Sequence, residues 1–184
     1  MYRFCVLLFS LLIAQVAQAE SALAKIIEET GANVMFMRHA LAPGYGDPSH
    51  FDVNNCSTQR NLDASGRAQA KALGKVLRQH QIRFDEIKSS QWCRCQETAR
   101  LLDVGNVMPF TGLNSFFEEH ADREQTLSQL KNYLDSLKQD DLVLLVTHQV
   151  VISAVTGNYA PSGGVVLFNT TTKTSKALDL QRYQ

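Results

Sequence analysis

Short apolar runs alternate along the chain with stretches whose apolar residues recur every three or four positions. A compact apolar run bounded by turn residues is typical of a buried strand, and the longer period is typical of a helix with one buried face. The most continuous run, LVLLVT, is apolar up to its last residue, as in a strand covered on both faces. The pattern predicts strands at 33–37, 84–89, 142–147, 165–169 and 175–180, and helices at 21–29, 63–81, 92–102, 123–138 and 149–156.

This alternation of strands and helices predicts the fold class. It indicates an α/β three-layer sandwich with a mostly parallel central sheet and right-handed crossovers. No linker, charge block or repeat interrupts residues 20–184, so we expect one domain there. The buried face of the helix at 63–81 is predicted to carry Ala68, Ala72, Leu73, Val76 and Leu77.

The first 19 residues have the three-part pattern of a secretory signal peptide. Arg3 precedes an apolar run from Phe4 to Ala14, and small residues follow in Ala17-Gln18-Ala19. The run is too short for a membrane span, which needs about 20 apolar residues. We therefore expect cleavage after Ala19, a periplasmic product and no stable membrane insertion of that product.

Charge and composition restrict the partners. Hydrophobic residues make up 45% and charged residues 20%, which is the balance of a globular protein. Lys+Arg and Asp+Glu number 18 each, so the chain lacks the basic excess that drives nucleic-acid binding. We expect no nucleic-acid partner, and any bound phosphate must be held by a local cluster of cations.

Three cysteines follow the predicted signal segment: Cys56, Cys93 and Cys95. Export favours a disulfide, and two cysteines two positions apart on a helix point in different directions. A bridge from Cys56 to either Cys93 or Cys95 is therefore expected, and the choice between them stays open. It would tie the Pro- and Gly-containing loop predicted at 40–62 to the next helix, and a loop of that length is usually functional or disordered. A metal site is disfavoured, because the chain has no Cys-x-x-Cys pair with a nearby His.

Candidate chemistry follows two of the predicted strands. Arg38 and His39 come directly after the strand at 33–37, and His148 follows LVLLVT. Ligands of open α/β sheets bind outside the carboxyl ends of the strands, so the two histidines are expected in one pocket. Arg94 lies in the first turn of a predicted helix, where free N–H groups and a planar guanidinium favour phosphate. The pattern predicts an anion-binding pocket.

Four blocks in this order resemble the histidine phosphatase (phosphoglycerate mutase-like) superfamily. They are MRHA at 37–40, NLDASGRAQAKALG at 61–74, SSQWCRCQETA at 89–99 and VTHQ at 146–149. The resemblance implies a phosphoglycerate mutase-like fold and a covalent phosphohistidine intermediate on His39. It implies phosphate contacts from Arg38 and Arg94, with His148 beside the nucleophile, and no metal or other cofactor.

Further residues are candidates for contacts with the substrate or for proton transfer. Arg60 lies where some small members of the superfamily place another arginine that contacts the phosphate or the substrate. The alternative is that Arg60 is a surface cation. Gln149 either leans into the pocket or begins a helix. Larger members supply a Glu or Asp as proton donor, for which the candidates are Glu118, Glu119 and Asp47, each otherwise an exposed carboxylate. Small members that cleave good leaving groups such as phosphohistidine work without this acid.

The expected function is that of an exported phosphomonoesterase that acts on a phosphorylated small molecule or envelope glycan. The signal segment, the small size and the RHA, Cys-Ser-Thr and WCRC blocks resemble the lipopolysaccharide core heptose phosphate phosphatases. Two alternatives stay open: a phosphohistidine protein phosphatase, and a non-catalytic phosphate-binding envelope module.

Overall fold

The structure is a computed structural model that describes residues 21–183. The predicted signal segment lies outside the described residues. The strands are β1 (Val34–Arg38), β2 (Glu86–Ser89), β3 (Val107–Pro109), β4 (Val143–Thr147), β5 (Val165–Phe168) and β6 (Ser175–Leu178). The α-helices are α1 (Ala22–Thr30), α2 (Ala64–Gln79), α3 (Cys93–Leu102), α4 (Arg123–Ser136) and α5 (Gln149–Thr156).

The six strands form one sheet in the order β3-β2-β4-β1-β5-β6. The pairs β3–β2, β2–β4 and β4–β1 are parallel, whereas β5 runs antiparallel to β1 and β6 antiparallel to β5. The predicted, mostly parallel sheet is confirmed. Arg38 lies opposite Thr147 in the register of β1 and β4. The residues that follow these two strands therefore leave the sheet side by side.

Helices cover both faces of the sheet. In β1, Met35 and Met37 belong to the apolar core that contains residues of α1, α2 and α3. Val34 and Phe36 point to the opposite face and join the core formed with α4 and α5. This alternation produces the predicted three layers, and it explains why the strand reads as a continuous apolar run.

One strand escapes prediction. The three residues of β3 pair only with β2 at the edge of the sheet and are partly exposed, so they carry no apolar run. Pro109 fits an edge strand because it has no N–H to donate. No helix within residues 21–183 is long and apolar enough to cross a membrane.

The predicted buried face of α2 is partly wrong. Ala68 and Ala72 are exposed, and Gly66 and Gly74 are buried in their place. A Cβ built on Gly74 would overlap the carbonyl oxygen of Leu102, the last residue of α3. The glycines therefore allow α2 to approach neighbouring backbone more closely than any larger residue would.

A disulfide joins Cys56 to Cys93, with a Cα–Cα distance of 5.7 Å, and Cys95 is a free, buried thiol. The bridge ties the 40–62 loop to the first residue of α3, as expected, and selects Cys93 as the partner of Cys56. It closes a segment of 37 residues. Chain entropy alone would make such a cross-link stabilising by about 4 kcal/mol.

Gly74→Ala should destabilise the protein, although alanine is normally the better helix former by about 1 kcal/mol. The added methyl forces α2 and α3 apart, at an expected cost of about 1–3 kcal/mol in the free energy of unfolding measured in urea. Ala72→Gly on the exposed face is the control and should lose only the helix-propensity term of about 1 kcal/mol. A stabilised Gly74→Ala protein would contradict the close approach.

Candidate active site

A cavity of about 270 Å³ opens at the carboxyl ends of β1 and β4. The structure thus brings together six residues that the sequence singled out, and adds aromatic, aliphatic and small residues around them. The first group is Arg38, His39, Arg60, Arg94, His148 and Gln149, and the second is Gly44, Tyr45, Gly46, Ser115, Phe117, Val150 and Tyr159.

His39 is buried, and hydrogen bonds hold both of its ring nitrogens. Nδ1 lies 2.7 Å from the carbonyl oxygen of Ala40, and Arg94 Nε donates to His39 Nε2 over 3.2 Å. Because a carbonyl can only accept, Nδ1 carries the proton and Nε2 keeps a lone pair. Burial, followed by the positive charge of Arg94, lowers the pKa of His39 well below its ordinary value. The side chain is therefore a neutral imidazole with its nucleophilic nitrogen in the cavity wall.

His148 lies beside it, with the two ring centroids 5.4 Å apart. Its Nε2 is 2.9 Å from Ser90 Oγ and 3.4 Å from Cys95 Sγ. Burial and the charge of Arg94 lower the pKa of His148 well below its ordinary value. Burial also raises the pKa of the Cys95 thiol to about 12, so this group is a protonated neighbour of His148.

Three guanidinium groups surround the histidines. Arg38 Nη1 donates to the carbonyl of Ala160 over 3.2 Å, and Arg38 Nε is buried without a hydrogen-bond partner among the described residues. Arg60 Nε donates to the carbonyl of Gly46 over 2.8 Å, so Arg60 belongs to the site and is not a surface cation. The excess of positive charge is the local cluster that phosphate binding requires in a chain of zero net charge.

Asp47 forms an ion pair with Arg94. This pairing argues against the prediction that Asp47 is the proton donor. Its two carboxylate oxygens accept from Arg94 Nη1 at 2.7 Å and Nη2 at 3.0 Å, and Trp92 Nε1 donates to the same carboxylate. Burial favours the neutral acid, but the hydrogen bonds and charge of Arg94 outweigh it and lower the pKa of Asp47. An ionised carboxylate that accepts hydrogen bonds on both oxygens carries no proton to donate. It fixes the plane of Arg94 instead.

The other two candidate donors lie outside the cavity wall. Glu118 and Glu119 are exposed and have left-handed backbone conformations, with φ of 54° and 61°. The Glu118 carboxylate lies against Gly46, in the space that a Cβ on that glycine would occupy. Because Gly46 lines the cavity, the Glu118 carboxylate lies close to the cavity edge.

Gln149 lines the cavity, but its amide is engaged by the protein. Its Oε1 accepts from the backbone N–H of Ala160 at 2.8 Å, and its Nε2 donates to Ser153 Oγ at 2.6 Å. Gln149 is the first residue of α5 and also lines the cavity. Through its hydrogen bond to Ala160, Gln149 holds the segment that carries Tyr159.

Sequence reasoning missed several groups of the site. Ser90 lies in the block at 89–99, but only the fold shows its contact with His148. Tyr45, Phe117 and Tyr159 come from loops and a short 3₁₀ turn distant in sequence, and no motif marks them. Their only sequence signal is membership of irregular, turn-rich segments.

The lowered pKa of His39 predicts a loss of stability in acid. The unfolded chain takes up a proton below about pH 6.5 while the folded chain does not, so the free energy of unfolding falls as pH falls. From about pH 7.5 to about pH 5, wild type should lose about 1–2 kcal/mol more than His39→Asn. Urea unfolding at the two pH values measures this. The control is His50→Asn, a change at an exposed position, which should behave as wild type. Equal losses in all three proteins would contradict a neutral His39.

The fold of this chain recurs in solved structures that cover most of its length. SixA of Agrobacterium tumefaciens, assigned as a phosphohistidine phosphatase, is 19% identical with a TM-score of 0.54, over 81% of this chain and 96% of its own. An Escherichia coli protein assigned as an α-ribazole-5′-P phosphatase is 18% identical with a TM-score of 0.53, over 79% and 94%. A mycobacterial glucosyl-3-phosphoglycerate phosphatase is 15% identical with a TM-score of 0.54, over 79% and 96%. These likenesses show a shared phosphoglycerate mutase-like fold.

No curated protein matches the chain. The family model of the histidine phosphatase superfamily (branch 1) matches residues 34–128, more than half of the chain. The matched region contains His39, Arg60 and Arg94, and it ends before His148. The resemblance noted from the four sequence blocks is thereby confirmed, and the chain belongs to the histidine phosphatase superfamily.

Proposed function

We propose that the protein is an exported phosphomonoesterase that works through a phosphohistidine on His39. The observation that carries the proposal is a neutral, buried imidazole whose Nε2 lone pair faces a cavity lined by Arg38, Arg60 and Arg94. This arrangement combines an activated nucleophile with positive charge placed where the phosphoryl oxygens lie during transfer.

The first step is attack of His39 Nε2 on phosphorus. The N–P bond forms as the bond from phosphorus to the ester oxygen breaks. A good leaving group then takes its proton from water, and an alkoxide takes it from the Glu118 carboxyl group beside Gly46. Before substrate binds, Arg94 Nε–H donates a hydrogen bond to His39 Nε2. When substrate is bound, it donates to a phosphoryl oxygen instead, and the lone pair of His39 Nε2 is free to attack. The carbonyl of Ala40 accepts from Nδ1–H and stabilises the positive charge that the ring gains.

The second step is hydrolysis of the phosphohistidine. Water attacks phosphorus, the N–P bond breaks, and His39 recovers its lone pair as phosphate leaves. The buried Nε–H of Arg38 has no partner among the described residues, and a buried donor of this kind is costly. A phosphoryl oxygen would satisfy it, so we assign Arg38 to the bound phosphate in both steps.

The proposed substrate is an envelope sugar phosphate. Export is supported by the signal-like first 19 residues and by the Cys56–Cys93 disulfide, which suits an oxidising compartment. The likeness in sequence blocks to lipopolysaccharide core heptose phosphate phosphatases points to the same class. A structural neighbour that acts on a sugar derivative, glucosyl-3-phosphoglycerate phosphatase, adds support for a substrate of this kind.

A phosphohistidine protein phosphatase is the second candidate. Among the described residues that line the cavity none is a carboxylate, and transfer from phosphohistidine needs no proton donor of that type. The neighbour SixA is assigned to this activity. The predicted export argues against it, since intracellular phosphoproteins would then be out of reach.

Loss of His39 should abolish turnover. In the presence of a chelator, residues 20–184 should hydrolyse para-nitrophenyl phosphate, and His39→Ala should lower kcat by about 10³-fold or more, because the nucleophile is removed. The exposed change His50→Ala is the control and should keep wild-type activity. Loss of activity on chelation would contradict a mechanism without metal. No turnover by the wild-type protein, together with a failure to trap 32P from a labelled envelope sugar phosphate, would favour the non-catalytic phosphate-binding module.

Glu118 and Glu119 can be separated by leaving group. We predict that Glu118→Gln lowers kcat about 10²-fold or more for glucose 6-phosphate, whose alkoxide needs a proton, and leaves para-nitrophenyl phosphate nearly unaffected. Glu119→Gln, one position further along and not in contact with Gly46, is the matched control and should match wild type on both substrates. Equal rates for the two variants would exclude Glu118 as the donor.

A further inference from the structure

Exposed aromatic side chains are concentrated at the mouth of the active site. Among the described residues only four large apolar side chains are exposed, namely Leu41, Tyr45, Met108 and Tyr159. Tyr45 and Tyr159 are the most exposed of the four, at 85% and 68%, and both line the same cavity. Single exposed apolar residues are ordinary, but two exposed tyrosines that line one cavity mark a binding surface. We call this pair the tyrosine rim.

Each tyrosine of the rim is fixed to an arginine of the phosphate pocket. The residue after Tyr45 is Gly46, whose carbonyl accepts from Arg60 Nε at 2.8 Å. The Tyr45 ring also meets the ring of Phe117 edge to face, with centroids 5.2 Å apart. The rim is thus connected on this side to a cation of the site through a single backbone unit.

The other tyrosine has the same arrangement. The residue after Tyr159 is Ala160, whose carbonyl accepts from Arg38 Nη1 at 3.2 Å and whose N–H donates to Gln149 Oε1 at 2.8 Å. Ala160 itself is buried, whereas the Tyr159 side chain is exposed. The backbone next to each tyrosine is therefore held by an arginine of the phosphate pocket. This preorganisation lowers the entropy that is lost when a ligand binds to the rings.

The chemistry of the cavity wall indicates what the rim would bind. Apart from the arginines and histidines, the described wall offers only uncharged groups, including the hydroxyl of Ser115. Nothing in it would pair with a cationic leaving group. An aromatic face with a hydroxyl at its edge suits a ring that has apolar C–H faces and polar edges. A cavity of about 270 Å³ is close to the lower end of the range for small-molecule sites, about 300 Å³.

We propose that Tyr45 and Tyr159 form a subsite for the sugar ring of a phosphorylated saccharide, whose phosphate lies on His39. This assignment rests on the proposed function for the position of the phosphate. It adds to that function the residues that select the leaving group. Phosphate binding and ring binding then come from separate residues and can be measured separately.

Binding is measured by calorimetry in a His39→Ala background, so that no ligand turns over. Glucose 6-phosphate should bind about 10-fold or more tightly than glycerol 3-phosphate, which has no ring. Tyr45→Ala and Tyr159→Ala should each weaken glucose 6-phosphate about 3- to 10-fold and leave inorganic phosphate within about twofold. Tyr45→Phe should keep the affinity, because the face of the ring does the binding.

Met108→Ala is the matched control, since Met108 is exposed but lies on the edge strand β3, outside the cavity wall. Equal affinities for glucose 6-phosphate and glycerol 3-phosphate would overturn the subsite, as would equal weakening of inorganic phosphate in the tyrosine variants. The sugar assignment would be overturned if phenyl phosphate bound more tightly than glucose 6-phosphate and only the affinity for phenyl phosphate fell in the tyrosine variants. Tight, tyrosine-dependent binding of glucose 6-phosphate without hydrolysis by the wild type would leave the subsite standing and count against the phosphatase.

Discussion

The active site depends on the parallel pairing of β1 with β4. Arg38 lies opposite Thr147 in this register, and the N–H of His39 donates to the carbonyl of Thr147 over 2.9 Å. His39 and His148 therefore leave the sheet as neighbours, with ring centroids 5.4 Å apart. A shift of one residue would turn each side chain of a strand to the other face of the sheet. Both apolar cores would be disrupted along with the pairing of the two histidines, so the cores and the candidate site require the same register.

Arg94 is the second point on which the site depends. It donates to His39 Nε2 and forms a bidentate pair with Asp47, and the two side chains of that pair are only 4% and 3% exposed. A buried ion pair of this kind contributes little net stability, but the loss of either partner leaves a costly unpaired charge. The neighbouring disulfide holds the 40–62 loop, and with it Asp47, against the start of α3. The long loop thus helps to position the arginine that contacts His39.

Much of this could be predicted because strand ends carry local information. The apolar run of β4, the RHA and VTHQ blocks and the position of Arg94 at a helix start all depend on residues close together in sequence. The edge strand β3 was missed because three partly exposed residues bury too little apolar surface to leave a pattern. The prediction of the buried face of α2 was partly wrong because glycine has no apolar side chain and is a weak helix former, so the pattern did not place it in the core. The absence of a side chain at Gly74 is what allows the backbone of Leu102 to approach α2.

The sequence by itself determined the α/β class, the two histidines and two arginines that meet in the cavity, and a disulfide from Cys56 to the start of α3. Tertiary structure alone decided that Cys93 is the partner, that Asp47 holds Arg94, and that Tyr45 and Tyr159 line one cavity. The physical reason is the range of the interactions. Periodicity and strand ends act over a few residues, whereas ion pairs, disulfides and cavity walls join segments whose distance in space is set only when the whole chain packs.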